Sequence, residues 1–376
     1  MAMKKILLFG ATPFQGGIET FIMNICKVMN YDNEIYIYNF SNQKIAYQDI
    51  LTKKFGVKVL QVANVGGKLG HFSRKIQYKQ FFKKFKFDIV HVNANSPSNY
   101  DFALAALTSG AKVIYHSHND SAESFVMDKK YKNLISQVRS FQRKRLSSLD
   151  VKRVAVSDNA AKWMFDNNQD VQIIPNGVDF DKVKFSSEKR VDGRSMLHIL
   201  TSDTTLLVAS RLTAQKNIGK SLSIAKLAIE KDVAQHLIIV GDGEEMPLIK
   251  ETVNYYPQDI KQKIHVLGAQ SDMQLWYSVG DILLMPSIYE GLPYSVLEAQ
   301  ANGLSILASN AIPQQAVITE NLISFMDVQE NDEMWVQNMQ LSVDRQKRKE
   351  YVQVANQSRY SLKNFESIMD NLYETV

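Results

Sequence analysis

Residues 280–309 read GDILLMPSIYEGLPYSVLEAQANGLSILAS. The apolar run DILLMP stops at Pro286, the loop SIYEGL follows, and Pro293 suits the first turn of a helix because its missing N–H would be unpaired there anyway. A second apolar run, LSILAS, comes after Gly303. Strand, loop, helix and strand in thirty residues predict neighbouring strands that run parallel, with the helix on one face of the sheet.

The same alternation extends in both directions. Upstream stand KILLFG, EIYIYNF, VKVLQV, DIVHVN, KVIYHS, KRVAVS and VQIIPN. After a polar stretch, residues 179–203, the pattern restarts with TLLVAS, HLIIVG, KIHVLG, DILLMP and LSILAS. The expected fold class is therefore α/β, with two doubly wound Rossmann-like domains. A chain of 376 residues is the right length for two such lobes. DFDKVKFSSEKRVDGRSM, residues 179–196, is poor in apolar residues and reads as the linker. The expected division is residues 1–180, residues 181–355 and a closing segment, residues 356–376.

Composition narrows the class. Hydrophobic residues make up 45% and charged residues 22%, which argues for globular domains over disorder. The lone cysteine, Cys26, permits no internal disulfide and suits a reducing compartment. The opening MAMKKILLFG is too short for a secretory signal, and no apolar run approaches the ~18 residues of a spanning helix. The expectation is a cytoplasmic protein, with peripheral contact at the inner face of the plasma membrane left open. Charge is unevenly spread. Residues 1–180 carry 25 Lys plus Arg against 14 Asp plus Glu, whereas residues 181–376 carry 19 against 25. The basic half points to an anionic partner, a phosphate-bearing ligand or an acidic membrane surface. Nucleic acid is not expected, because no base-reading motif is interleaved with the basic residues.

Ligands of open α/β sheets bind outside the carboxyl ends of the strands, so each motif is judged by whether it falls there. Glu290 lies in the loop and Glu298 in the helix, flanking the backbone amides of Gly291, Leu292 and Pro293's neighbours. Amides at a helix start attract phosphate, and a carboxylate matches a vicinal diol, so the combination suggests a ligand with both. In LLVASRLTAQKN, Arg211 and Lys216 follow a strand and could hold a diphosphate, with Asn217 as the expected helix cap. The loop GATPFQGGIET brings Gly16 and Gly17 before a helix, without the Lys and Ser or Thr of a P-loop. Gly241 opens GDGEEM after another strand. His116 ends the strand of KVIYHSHND, with His118 two residues on, and these with Asp120 do not suffice for a metal site. The D-x-D spelling at Asp179 and Asp181 falls in the polar stretch and is set aside.

Taken together, SRLTAQKN, IIVGDGEEM, VLGAQSDM, the stretch quoted first, and the earlier GG-E (Gly16, Gly17, Glu19), VAVSDNA and IIPNGVD resemble the nucleotide-sugar-dependent glycosyltransferases of family 4. The likeness covers essentially the whole chain and leans toward bacterial enzymes of capsule or exopolysaccharide assembly. It implies the GT-B fold: two facing doubly wound Rossmann-like domains with an interdomain cleft, the last helix returning to the first domain. It further implies a retaining, metal-independent reaction with no cofactor, the nucleotide-sugar being a substrate.

Residue by residue, the resemblance assigns Arg211 and Lys216 to the donor diphosphate, Glu298 to the ribose hydroxyls and Glu290 to the donor sugar. Gly291, Leu292 and Pro293 match the loop around the sugar and diphosphate, while Gly16 and Gly17 match the loop that approaches donor phosphates and acceptor. The nucleobase is expected near Val266, Leu267 and Gly268. His116 matches the cleft histidine and, with Glu290, the catalytic set, although His118 leaves the register open. Many members carry glycine or phenylalanine where this chain has Leu292 and Pro293, so the donor sugar is not assigned.

The implied partners are a nucleotide-sugar, UDP-linked in the first instance, and a glycan or polyprenyl-diphosphate-linked acceptor. Residues 68–87, KLGHFSRKIQYKQFFKKFKF, hold seven Lys plus Arg and no acid, with Phe72, Ile76, Phe82 and Phe85 at roughly helical spacing. They could lie on an anionic membrane, or equally cover the sheet with lysines facing water. Two rival functions stay open: a non-catalytic nucleotide-sugar-binding subunit and a nucleotide-sugar epimerase.

Overall fold

The aliphatic runs become strands buried on both faces, as a parallel sheet covered by helices requires. All six residues of Ile89–Ala94 are buried, and Ile6, Leu7 and Leu8 are wholly enclosed. The computed structural model describes residues 3–29, 33–63, 70–118, 132–166, 170–339 and 345–376, the side chains of 70–72, 132–135 and 345–346 excepted.

The chain divides into two units, Met1–Gly177 with Lys363–Val376, and Val178–Leu362. In the first unit the strands are β1 (Lys4–Phe9), β2 (Asn33–Asn39), β3 (Lys58–Gln61), β4 (Ile89–Ala94), β5 (Lys112–Ser117), β6 (Lys152–Ala155) and β7 (Gln172–Ile173). They form one parallel sheet in the order β3-β2-β1-β4-β5-β6-β7. The second unit holds β8 (Thr205–Ala209), β9 (His236–Val240), β10 (Ile264–Gly268), β11 (Ile282–Met285), β12 (Ser305–Ser309) and β13 (Ile323–Met326). Their order is β10-β9-β8-β11-β12-β13, again all parallel. Twelve of these strands coincide with the apolar runs read from sequence. The edge strand β13 has no such run: its residues are half-buried or exposed.

Two expectations need correction. The polar stretch 179–196 is not a linker: it folds into a 3-10 turn, Phe180–Lys182, and a helix, Ser187–Met196, inside the second unit. Ser186 accepts from the Lys189 amide, and Phe180, Val183 and Arg194 are buried. Its polar residues are satisfied by pairing: Arg190 and Arg194 both clamp Asp281, at 2.7 and 2.6 Å. Secondly, residues 356–362 stay with the second unit, where Val178 donates to the Tyr360 carbonyl and Leu362 to that of Val178. Only Lys363–Val376 belongs to the first. The helix Leu362–Thr375 buries Phe365, Met369, Leu372 and Tyr373, one stripe at helical period, with Phe365 edge-on to Phe21 at 5.3 Å.

For residues 68–87 the sequence left two readings open, and the packing is that of the sheet-covering helix. Residues 70–84 form a helix whose Phe81 and Phe82 are buried, with Phe85 packed on the same core. The apolar stripe is thus spent on the sheet, leaving Ile76 exposed at 43% beside exposed Lys79, Lys83 and Lys84. The Phe72 side chain and residues 68–69 lie outside the described residues. A second helix, Lys132–Ser147, exposes Val138 and Phe141 together with Lys144 and Arg145. No helix among the described residues is long and apolar enough to cross a membrane.

Candidate functional site

In the second sheet the strand order reverses between β8 and β11, so the loops leaving their carboxyl ends diverge and open a crevice. The two motifs singled out from sequence leave these two strands. Lys216, at the end of the 3-10 turn Ala214–Lys216, forms an ion pair with Glu290, whose side chain is only 5% exposed. Gln215 donates to the Tyr289 carbonyl at 2.9 Å and its own carbonyl accepts from the Ile288 amide at 2.8 Å, which stitches the two loops together. Asn217 does not cap its helix through its side chain as expected. It adopts a left-handed conformation (φ 54°) and donates from Nδ2 to the Pro286 carbonyl at 3.2 Å, adding a further stitch.

Arg211 follows β8 and is exposed. Gly291, Leu292 and Pro293 are buried, and the helix Tyr294–Asn302 begins one residue after Pro293, which stands at the cap and not inside the first turn. The Gly291 amide has no hydrogen-bond partner among the described residues. Glu298 projects from that helix, half-buried, and accepts from the Tyr277 hydroxyl at 2.7 Å through Oε2. Burial pushes its carboxyl up to about 7, with the tyrosine donation pulling the other way.

The expected nucleobase region is also assembled here. Gly268 (φ +71°) sits at a register shift between β10 and β9, and its carbonyl accepts from the Gly241 amide at 2.9 Å. The Leu267 carbonyl accepts from Gln270 at 2.9 Å, and Val266 is partly buried against the core. Gly241 has a steric duty that its motif does not reveal. At φ +144°, a Cβ there would stand 1.8 Å from the Ser210 carbonyl oxygen, so glycine is required for the turns after β8 and β9 to meet.

In the first unit the reversal falls between β1 and β4. Glu19, buried in the first turn of the helix Gly17–Met29, accepts from the Thr12 amide (3.0 Å) and hydroxyl (2.7 Å) and so closes the loop after β1. A Cβ at Gly16 would meet the Glu19 carboxylate at 2.8 Å, whereas one at Gly17 would meet nothing within 4 Å. The loop therefore approaches closely only on the Glu19 side and is open at Gly17.

The histidine expected to line this edge, His116, does not reach the surface. It is fully enclosed, its Nδ1 3.2 Å from His91 Nε2, and His91 in turn contacts the Tyr373 hydroxyl at 2.7 Å. His118, half-buried at the end of the same strand, stacks on His116 at 4.3 Å. Two residues apart, the two side chains share a face, but His118 lies one position past the strand end at Ser117. Asn93 donates through Nδ2 to the Phe9 carbonyl at 3.1 Å, which turns its Oδ1 toward His118 Nε2 at 2.9 Å. That network puts the His118 proton on Nε2 and leaves Nδ1 as the acceptor. Burial lowers the pKa of all three imidazoles, His91 to about 3, so each is neutral at physiological pH.

Sequence reasoning missed Tyr277, Gln215 and Asn93. Each acts through a contact more than 20 residues away in the chain, and no local spacing signals it. Asp179 and Asp181 pair with Lys182 and Lys184. Among the described residues no group of three or more His, Cys, Asp or Glu is placed to hold a metal ion.

Two doubly wound parallel α/β units, the second with an acidic and a basic side chain meeting at its strand-order reversal, belong to the class of fold whose ligands bind outside the carboxyl ends of the strands. Comparison with known proteins narrows it. Residues 15–182 match the family model Glycosyltransferase Family 4, and residues 203–340 match that of Glycosyl transferases group 1. The chain belongs to the family 4 glycosyltransferases. It is 26% identical over 254 residues to the Escherichia coli UDP-Gal:alpha-D-GlcNAc-diphosphoundecaprenol alpha-1,3-galactosyltransferase, covering 67% of this chain and 65% of that enzyme. The chain thus spans a little under two thirds of that relative. With the putative glycosyltransferase EpsF of Bacillus subtilis it shares 23% over 343 residues, 89% of this chain and 87% of EpsF. Among solved structures, Anabaena Alr3699/HepE in complex with UDP and glucose superposes with a TM-score of 0.76 at 17% identity, over 99% of this chain and 100% of that one. The fold is GT-B.

Proposed function

We propose that this glycosyltransferase is a retaining, metal-independent enzyme that moves a sugar from a UDP-sugar to a glycan or polyprenyl-diphosphate-linked acceptor in surface polysaccharide synthesis. The observation that carries the reading is the convergence at the β8/β11 reversal of Lys216, Glu290 and Glu298. The names of the relatives agree with it: the E. coli enzyme is named for UDP-Gal and a diphosphoundecaprenol-linked sugar, and the Anabaena structure holds UDP.

Arg211 and Lys216 grip the diphosphate, with the Gly291 amide adding a donor; Glu298 takes the ribose diol and Glu290 the donor sugar. In the reaction the bond from the anomeric carbon to the diphosphate breaks and negative charge grows on the departing phosphate, where fixed cations and amides stabilise it. The acceptor oxygen bonds the anomeric carbon on the same face, and its proton passes to the departing phosphate oxygen. His118, neutral with Nδ1 bare, accepts a hydrogen bond from a sugar hydroxyl and takes the place first assigned to His116.

Incubation of the protein with UDP-sugars is expected to release UDP in an acceptor-dependent manner, with the anomeric configuration retained by NMR of the product. Inversion would overturn the retaining reading. Epimerisation without free UDP, or nucleotide binding without turnover, would instead favour one of the two rivals.

The exposed lysines Lys79, Lys83 and Lys84, with Phe141, Val138, Lys144 and Arg145 on the helix Lys132–Ser147, favour docking on an anionic membrane. Cosedimentation with phosphatidylglycerol vesicles should weaken as salt rises and fall on neutralising the three lysines. Binding indifferent to both changes would remove this part of the proposal.

A further inference from the structure

We infer that Tyr277 is a positioning residue for nucleotide recognition: its hydroxyl holds one oxygen of Glu298 so that the other is offered to a ribose diol. The inference rests on the role given to Glu298 above and deepens it.

Tyr277 lies on the helix Met273–Val279 with its side chain wholly buried, and donates to Glu298 Oε2 at 2.7 Å. Its backbone is held as well. The buried guanidinium of Arg348 donates to the Tyr277 carbonyl at 2.8 Å, to the Gly280 carbonyl at 2.9 Å and to the Asn302 carbonyl at 3.2 Å. One cation thus ties the carboxyl end of the tyrosine's helix to the carboxyl end of the helix that carries Glu298, Tyr294–Asn302, where it also meets the negative ends of their dipoles. The phenol reaches Glu298 from a fixed platform.

Glu298 is asymmetric in consequence. Oε2 is occupied, whereas Oε1 takes no hydrogen bond from a described residue and is not among the enclosed polar atoms. A free glutamate has three rotors to freeze when it binds a diol. Here the buried tyrosine has frozen them beforehand, so less entropy is lost on binding. The donation also favours the ionised carboxyl, the only form in which both oxygens accept. Nucleotide affinity should therefore be full above a pH of about 7 and weaken as pH falls through that value. Without the hydroxyl the weakening begins at higher pH.

Calorimetric titration of the full chain with UDP and with 3′-deoxy-UDP, across pH 6 to 9, tests this on the wild type, Tyr277→Phe and Glu298→Gln. Tyr277→Phe should weaken UDP about tenfold, the order expected for a lost hydrogen bond to a charged group, with 3′-deoxy-UDP affected much less and the pH midpoint moved upward. Equal losses for both nucleotides, or an unmoved midpoint, would mean a packing role only and overturn the inference. If Glu298→Gln discriminates UDP from 3′-deoxy-UDP as the wild type does, the ribose role of Glu298 itself fails. If Glu298→Gln abolishes the discrimination while Tyr277→Phe keeps it, the inference alone fails. Should Tyr277→Phe not fold, 3-fluorotyrosine at position 277 serves instead: its more acidic hydroxyl should lower the pH midpoint, and no movement would overturn the proposal.

Discussion

Lys216→Ala should lower kcat/KM for a UDP-sugar by about a thousandfold, the order found when one fixed electrostatic donor is removed from a developing anion. The ammonium sits at the strand-order reversal, part-buried against Glu290. In the proposed role, such an environment would strengthen its pull on a departing phosphate beyond what a solvated lysine exerts. Loss of the cation also strands the Glu290 carboxylate, which is only 5% exposed, so lost stability would add to the fall in activity. Comparing Glu290→Gln alone with Glu290→Gln plus Lys216→Ala separates the two. With no buried carboxylate to strand, loss of the lysine should leave the melting temperature of the Glu290→Gln variant unchanged while kcat/KM falls further. Equal turnover of the single and double variants would show that Lys216 serves the fold and not the diphosphate.

Asp281→Ala should destabilise the second unit by about 3–5 kcal/mol, the usual cost of leaving buried charge uncompensated. The carboxylate is 1% exposed and receives Arg190 on one oxygen and Arg194 on the other, plus the Thr205 amide at 3.0 Å. Arg194, itself 2% exposed, further donates to the carbonyls of Leu200 and Asp203. Removing the anion takes the Asp281 countercharge from two guanidiniums at the amino end of β8, opposite the proposed donor site. Urea titration should show a lower midpoint with the slope unchanged, because the surface exposed on unfolding is the same. A shift worth less than about 1 kcal/mol would show that solvent already screens the cluster. Nucleotide affinity, measured where the variant is folded, should be little altered, since the cluster and Lys216 lie at opposite ends of the same strand.

Arg190, Arg194 and Asp281 also explain why residues 179–196 misled a reading by hydrophobicity. A segment in which twelve of eighteen residues are Lys, Arg, Asp, Glu or Ser has the composition of a linker. It is nonetheless folded, because a carboxylate 87 positions away neutralises the arginine that it buries. Hydrophobic periodicity reports burial driven by transfer from water and is blind to burial driven by pairing. The histidines failed for a related reason. His116 and His118 are equivalent in the sequence, both at the end of an apolar run, but His116 is enclosed against His91, which Tyr373 holds in turn, whereas His118 stays half-buried.

By itself the sequence determined the two parallel sheets, twelve strands, the motifs at their carboxyl ends and the family to which the chain belongs. All of these are local patterns, in which apolar runs, glycines and charges a few residues apart dictate backbone conformation directly. Tertiary structure alone decided the unit boundaries, the ion pair of Lys216 with Glu290, the hydrogen bond from Tyr277 to Glu298 and the enclosure of His116 beside a half-buried His118. These depend on which distant groups share a low-dielectric space, where an unpaired polar atom is costly and the partner's position, not its place in the chain, sets the outcome.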